Sequence, residues 1–204
     1  MKKVLEYVNV HHYLIRTSNF KLLEAIVLNM MWKRIDNIND PFPDSILSIE
    51  KTSGIHRPTI EKYIEKFKKV NIMHSINGKH IFNPEYEKYL EKLQYLDKEN
   101  ELKISPKKEY SSTYTCYHFD VAKRLNVNEM EYFFLDIHIG LFKKNGYGTS
   151  PKNYTMRVLG IGSRNYQKIK KKLFEKGYLE RCYAPDLIKV SDQVVTIFGM
   201  SRKK

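Results

Sequence analysis

Arg57 and Thr59, and over a hundred residues later Ser163, Arg164 and Asn165, are short runs of guanidinium, hydroxyl and carboxamide donors. A guanidinium fork matches the paired acceptors on the edge of guanine, and a carboxamide matches adenine. Each run is followed by lysines at helical spacing: Lys62 and Lys66 after the first, Lys168, Lys171 and Lys172 after the second. Such point charges suit phosphate neutralisation, which positions a protein without reading sequence. Lys79, His80 and Arg181 add donors in segments that read as polar hairpins.

Other chemistries find less support. His11 and His12 are adjacent and point in different directions, and His74 and His80 flank a two-residue turn that puts them on opposite sheet faces. No metal cluster is expected among the seven histidines, and no cofactor. There is no P-loop, no GxGxxG after a strand and no GxSxG, and the GYGTSPK segment reads as the loop before a capped helix. The expectation is a binding protein, not an enzyme.

The charge balance agrees with a polyanionic partner. The chain has 36 Lys+Arg against 23 Asp+Glu, a net charge of +13. Residues 1–104 carry 17 basic and 14 acidic side chains, and residues 105–204 carry 19 and 9, so the field lies mostly in the second half. A length of 204 residues with 42% hydrophobic and 13% aromatic content fits two folded domains of about 100 residues each. No apolar run reaches the roughly 18 residues of a membrane span, and Glu6, Asn9, His11 and His12 break up the apolar N-terminus. Cys116 and Cys182 lack CxxC partners and read as free thiols, so the expected location is the cytoplasm, with no membrane association. Abundant Lys, Asn, Ile and Tyr are associated with A/T-rich coding, as in low-GC bacteria and their mobile elements.

The elements that must position these donors occur twice. Residues 44–73 (DSILSIEKTSGIHRPTIEKYIEKFKKVNIM) align without a gap on residues 150–179 (SPKNYTMRVLGIGSRNYQKIKKKLFEKGYL), at a constant offset of 106. Asp44 falls on Ser150, both N-capping types, with Pro151 at the first helical position. Gly54-Ile55 falls on Gly160-Ile161 as a tight turn with an apolar plug, and Asn71 falls on Gly177 as a helix stop. Upstream, apolar helices are expected over 20–35 and 130–144, displaced by 110. Downstream, IMHSINGKHIF is a hairpin closed by Asn77-Gly78, and YLERCYAPDLIKV is a looser one around Ala184-Pro185-Asp186. Short β-type runs precede each first helix, near 8–15 and 113–119. Tyr86, Tyr89, Leu90, Leu93 and Leu96 mark an amphipathic helix over 84–102, read as a linker that packs on the first domain, sets the interdomain angle or zips against a second copy.

This order, centred on GIHRPTIEKYIEKFKKVNIM and GIGSRNYQKIKKKLFEKGYL, resembles the winged helix-turn-helix family of DNA-binding domains over roughly 150 residues. Family members often have a small residue four positions before the turn glycine; here Glu50 and Met156 stand there. The resemblance implies a mainly α fold with small β-hairpins (α+β). Two tandem winged-helix domains, 1–83 and 113–204, are joined by a linker helix and loop over 84–112. It also implies that the helix after each Gly-Ile turn enters the major groove and that each hairpin touches flanking backbone or minor groove. In the first such helix Ile60, Tyr63, Ile64, Phe67 and Val70 form the apolar arc, with Pro58, Lys62, Glu65, Lys66 and Lys69 opposite. In the second, Tyr166, Ile169 and Leu173 oppose Arg164, Lys168, Lys171 and Lys172.

The architecture is similar to that of plasmid replication initiators. The expected function is sequence-specific binding of double-stranded DNA, by a transcriptional regulator or a replication initiator of a mobile element, as a monomer or a homodimer. The alternative is an interaction module in which only the second domain binds nucleic acid and the first docks a protein.

Overall fold

The computed structural model describes residues 7–18, 20–42, 45–104, 114–145, 152–181 and 188–201. The chain is mostly helical with small antiparallel hairpins, and it divides into two compact units, Met1–Tyr114 and Thr115–Lys204. The first contains β1 (Tyr7–His11), α1 (Tyr13–Arg16), α2 (Leu22–Trp32), α3 (Ile46–Ser53), α4 (Arg57–Lys69), β2 (Met73–Ile76), β3 (Lys79–Phe82) and α5 (Tyr86–Ile104). The second repeats that order with β4 (Tyr114–His118), α6 (Phe119–Arg124), α7 (Glu129–Asn145), α8 (Lys152–Leu159), α9 (Ser163–Glu175), β5 (Leu179–Arg181), β6 (Ile188–Val190) and α10 (Asp192–Ser201).

Both units are built around a helix that is apolar on nearly every side. Along α2, Ala25, Ile26, Val27, Leu28, Met30 and Met31 are fully buried, and α7 does the same with Tyr132, Phe133, Phe134 and Leu135. A helix without a polar face cannot lie on a surface, so other elements must wrap it. The wrapping helices are amphipathic: α4 buries Ile60, Ile64 and Phe67 at spacings of four and three, and α9 buries Tyr166 and Leu173 two turns apart. Each packs on its own central helix and on the helix before it, α4 on α2 and α3, α9 on α7 and α8.

The bounds of α3 and α4 map onto those of α8 and α9 at the offset of 106, residue for residue. The turn between the helices is set by backbone sterics. Gly54 has φ 72 and Gly160 has φ 63, in the left-handed region where a Cβ is penalised. The stops match too, with Asn71 at φ 58 and Gly177 at φ 70. Upstream the register differs from the expected 110. Tyr7 maps to Tyr114, and Leu22 to Glu129, at 107. Most of the difference arises at α2, where Phe20 is apolar but precedes the N-cap Lys21, so the helix begins two residues later than the run; α7 begins one residue earlier than its run, at Glu129.

Of three other expectations, the first changes. Ser45, not Asp44, caps α3, its hydroxyl accepting from the Ser48 N–H at 3.3 Å; Asp44, Ser150 and Pro151 lie outside the described residues. Helix α5 falls within the first unit, where one reading of the linker helix placed its packing. Tyr86 and Leu93 are buried, and Asp97, 1% exposed, accepts from Arg16 of α1 at 2.5 Å and from the Thr17 hydroxyl at 3.2 Å. The second hairpin is seen as β5 and β6, pairing Leu179 with Val190 and Arg181 with Ile188; its tip, with Ala184, Pro185 and Asp186, lies outside the described residues, as does Cys182. Cys116 is in no disulfide, and its Sγ lies 3.3 Å from His118 Nε2.

Two buried imidazoles make each unit acid-sensitive. His138, fully buried on α7, has Nδ1 2.7 Å from the Phe134 carbonyl and stacks on the Phe134 ring, and burial pushes its pKa down to about 4. Burial, with the nearby Arg16 charge, pushes His12 down to about 3. Both stay neutral when folded and titrate normally when unfolded, so the unfolded state takes up more protons below about pH 6.5, and folding stability is lost as pH falls through that value towards 4. In urea titrations between pH 7.5 and 5, each unit is expected to lose stability at up to about 1.4 kcal/mol per pH unit for its histidine. His138→Leu is expected to flatten the dependence of the second unit only.

Candidate nucleic-acid interface

The side of α9 opposite Tyr166 and Leu173 carries Arg164, Lys168 and Lys171, all exposed and within about 60° of one another around the helix. Among the described residues neither Arg164 nor Lys168 has an ion-pair partner, and Lys171 reaches Glu175 at only 3.7 Å. Ser163 and Asn165 are exposed in the first turn, where Gly162 supplies no capping side chain. A guanidinium, a carboxamide, a hydroxyl and two lysines thus share one solvent-facing surface.

The matching surface of α4 is internally compensated. Arg57 donates from Nε to Glu61 at 2.8 Å, and Lys68 pairs with Glu65 at 2.7 Å. The backbone N–H of Arg57 donates to the Glu50 carboxylate at 3.0 Å, which also lies 3.7 Å from His56. Glu50, where a small residue was expected, therefore closes the start of α4 with a negative charge; Met156 stands at the same place before α9. Thr59 is half-buried in the first turn, and Lys62 is exposed.

Lys66 does not lie on the outward surface as its spacing suggested. It turns towards α2 and pairs with Glu24 at 2.5 Å, its side chain 33% exposed. Lys172, 106 positions on, does the same with Glu131 at 2.6 Å, although its side chain stays 55% exposed. Both acids occupy the third position of their helix. There Glu24 accepts the Lys21 N–H at 2.9 Å and Glu131 the Asn128 N–H at 3.4 Å, leaving one acid to join a helix start to a crossing helix. Lys176 adds a second ammonium to Glu131 at 2.7 Å. Burial pushes the Glu131 carboxyl up, but hydrogen bonds and charge from Lys172 and Lys176 outweigh it and hold the group below the usual carboxylate range.

In the first hairpin Asn77 (φ 51) and Gly78 (φ 75) form the turn, and the strands pair Ile76 with Lys79 and Ser75 with His80. His80 lies on the face shared with buried Met73 and Phe82, with Nδ1 3.0 Å from the Ser75 hydroxyl and its carbonyl accepting from Phe42 N–H at 2.7 Å. It serves the hairpin rather than an outward contact. Lys79 is exposed on the opposite face with His74 and Ile76, and Arg181 is exposed at the end of β5.

Sequence reading missed Glu24, Glu131 and Gln167. The acids were hidden inside apolar runs, where only their repetition against Lys66 and Lys172 signals them. Gln167 is exposed three residues beyond Arg164, a spacing that was legible. No group of three metal-ligating side chains is gathered among the described residues, and no described helix is long and apolar enough to cross a membrane. Comparison with protein families, curated proteins and solved structures yields no match to this chain.

Glu131→Gln keeps the shape of the side chain and removes the charge that two lysines share. Unfolding of the second unit in urea at pH 7 is expected to show a loss of about 1–3 kcal/mol. Because the folded carboxyl titrates below its unfolded value, that contribution is present above about pH 4.5 and fades as pH falls through the folded pKa. The variant and the parent chain should therefore converge in acid.

Proposed function

We propose that the chain is a sequence-specific double-stranded-DNA-binding protein made of two tandem winged helices, with α9 as its principal reading helix. The observation that carries this reading is the single surface of α9 on which Arg164, Lys168 and Lys171 stand opposite the buried Tyr166 and Leu173. One side of such a helix docks on a core while the other meets phosphates and base edges. The role that fits is a transcriptional regulator or a replication initiator of a mobile element, acting by occupying or marking a site without cofactor or catalysis.

A second reading draws support from α4. With Arg57 held by Glu61, and Glu65 standing where α9 has Lys171, α4 offers less positive charge than α9. In that reading the first unit docks a protein and only the second binds nucleic acid.

Binding of labelled duplex at about 150 mM salt tests both. Arg164→Ala with Lys168→Ala is expected to cost at least about tenfold in affinity, since each base-reading side chain contributes about 1–3 kcal/mol. Arg57→Ala with Lys62→Ala is expected to cost less than about threefold; an equal loss would make α4 a second DNA-gripping helix. Unchanged specific binding by Arg164→Ala would overturn the assignment of α9.

A further inference from the structure

Resting on the DNA-binding reading of α9, we infer that its target contains a guanine directly beside an adenine, read by Arg164 and by Gln167, a side chain outside the expected contact set. Both side chains are exposed and neither has a hydrogen-bond partner among the described residues. Gln167 lies about 60° around the helix from Arg164 and about 4.5 Å along it, close to the 3.4 Å between stacked base pairs. Neighbouring pairs are therefore within reach of the two side chains. A guanidinium fork is matched to guanine O6 and N7, and a carboxamide to adenine N6 and N7.

Asn165 carries the same functional group on the other flank. That flank also bears Lys172, which is drawn towards α7 by Glu131 at 2.6 Å. On the Gln167 flank the residue one turn earlier is Ser163, small and exposed, so a longer carboxamide has room to extend outward. The pairing is particular to the second unit. The positions equivalent to Arg164 and Gln167 are Pro58, which has no side-chain donor, and Glu61, which is occupied with Arg57 at 2.8 Å.

The test is selection of bound duplexes from a random double-stranded library at about 150 mM salt, using the parent chain, Arg164→Ala, Gln167→Ala and Gln167→Glu. The parent is expected to enrich a motif with adjacent G and A, and Arg164→Ala to lose preference at the G. Gln167→Ala should flatten the A and weaken binding to the parent motif by about 5- to 150-fold. Gln167→Glu should exchange that A for C, because a carboxylate accepts from cytosine N4, while the other positions keep their preference. A parent motif that responds to Arg164→Ala but not to either Gln167 variant overturns this inference and leaves the function standing. A parent chain that enriches no motif overturns sequence-specific reading and this inference with it.

Discussion

Glu24 and Glu131 each stand on the third residue of the central helix of their unit and satisfy two groups at once, the backbone N–H at their own helix start and an ammonium on the helix that crosses them. Few positions could hold such a carboxylate. Without such partners a buried carboxylate costs several kcal/mol. At the helix start the macrodipole and the unsatisfied amides favour negative charge. The lysine that answers it determines how the crossing helix is rotated, and hence which of its side chains look outward. The outward row on α9 depends on the inward pull at Lys172 as well as on the apolar contacts of Tyr166 and Leu173.

The two units show the same scaffold with different surfaces. Where α9 places Arg164, Gln167 and Lys171, α4 has Pro58, Glu61 and Glu65. Two buried positions stay apolar, Ile60 against Tyr166 and Phe67 against Leu173, while Ile64 gives way to a half-buried Lys170, so the fold persists while the solvent-facing positions change. Glutamate four residues after Arg57 forms an i,i+4 pair that stabilises the helix slightly and also occupies the guanidinium, so the exposed charge of α4 is partly spent within the helix. A similar trade is seen at Glu50, which satisfies the amide of Arg57 and thereby places a carboxylate where a helix start would otherwise attract anions.

Much of this was legible in the residues. The tight turns at Gly54 and Gly160, the stops at Asn71 and Gly177, and the Asn77-Gly78 hairpin are governed by backbone conformations that few residue types tolerate, and such signals survive without tertiary context. The bounds of α3, α4, α8 and α9 follow from them. What escaped depended on partners distant in sequence. Lys66 and Lys62 look equivalent on a helical projection, and only Glu24, forty-two residues earlier, separates them. The apolar spacing of α5 suggested packing on the first domain, but its tie from Asp97 to Arg16 across eighty-one residues left no local trace. The place of His80 near a hairpin tip suggests an outward side chain, whereas strand register puts it on the face of Phe82.

The inequivalence of α4 and α9 also bears on direction. A symmetric dimer of identical subunits looks the same from either end of its site and cannot distinguish upstream from downstream. A single polypeptide with two different outward helices is its own arrow. On the proposed reading, a chain that reads an asymmetric site through α9 would sit on that site in one orientation. Polarity of that kind would be inherited from the difference between the two helices.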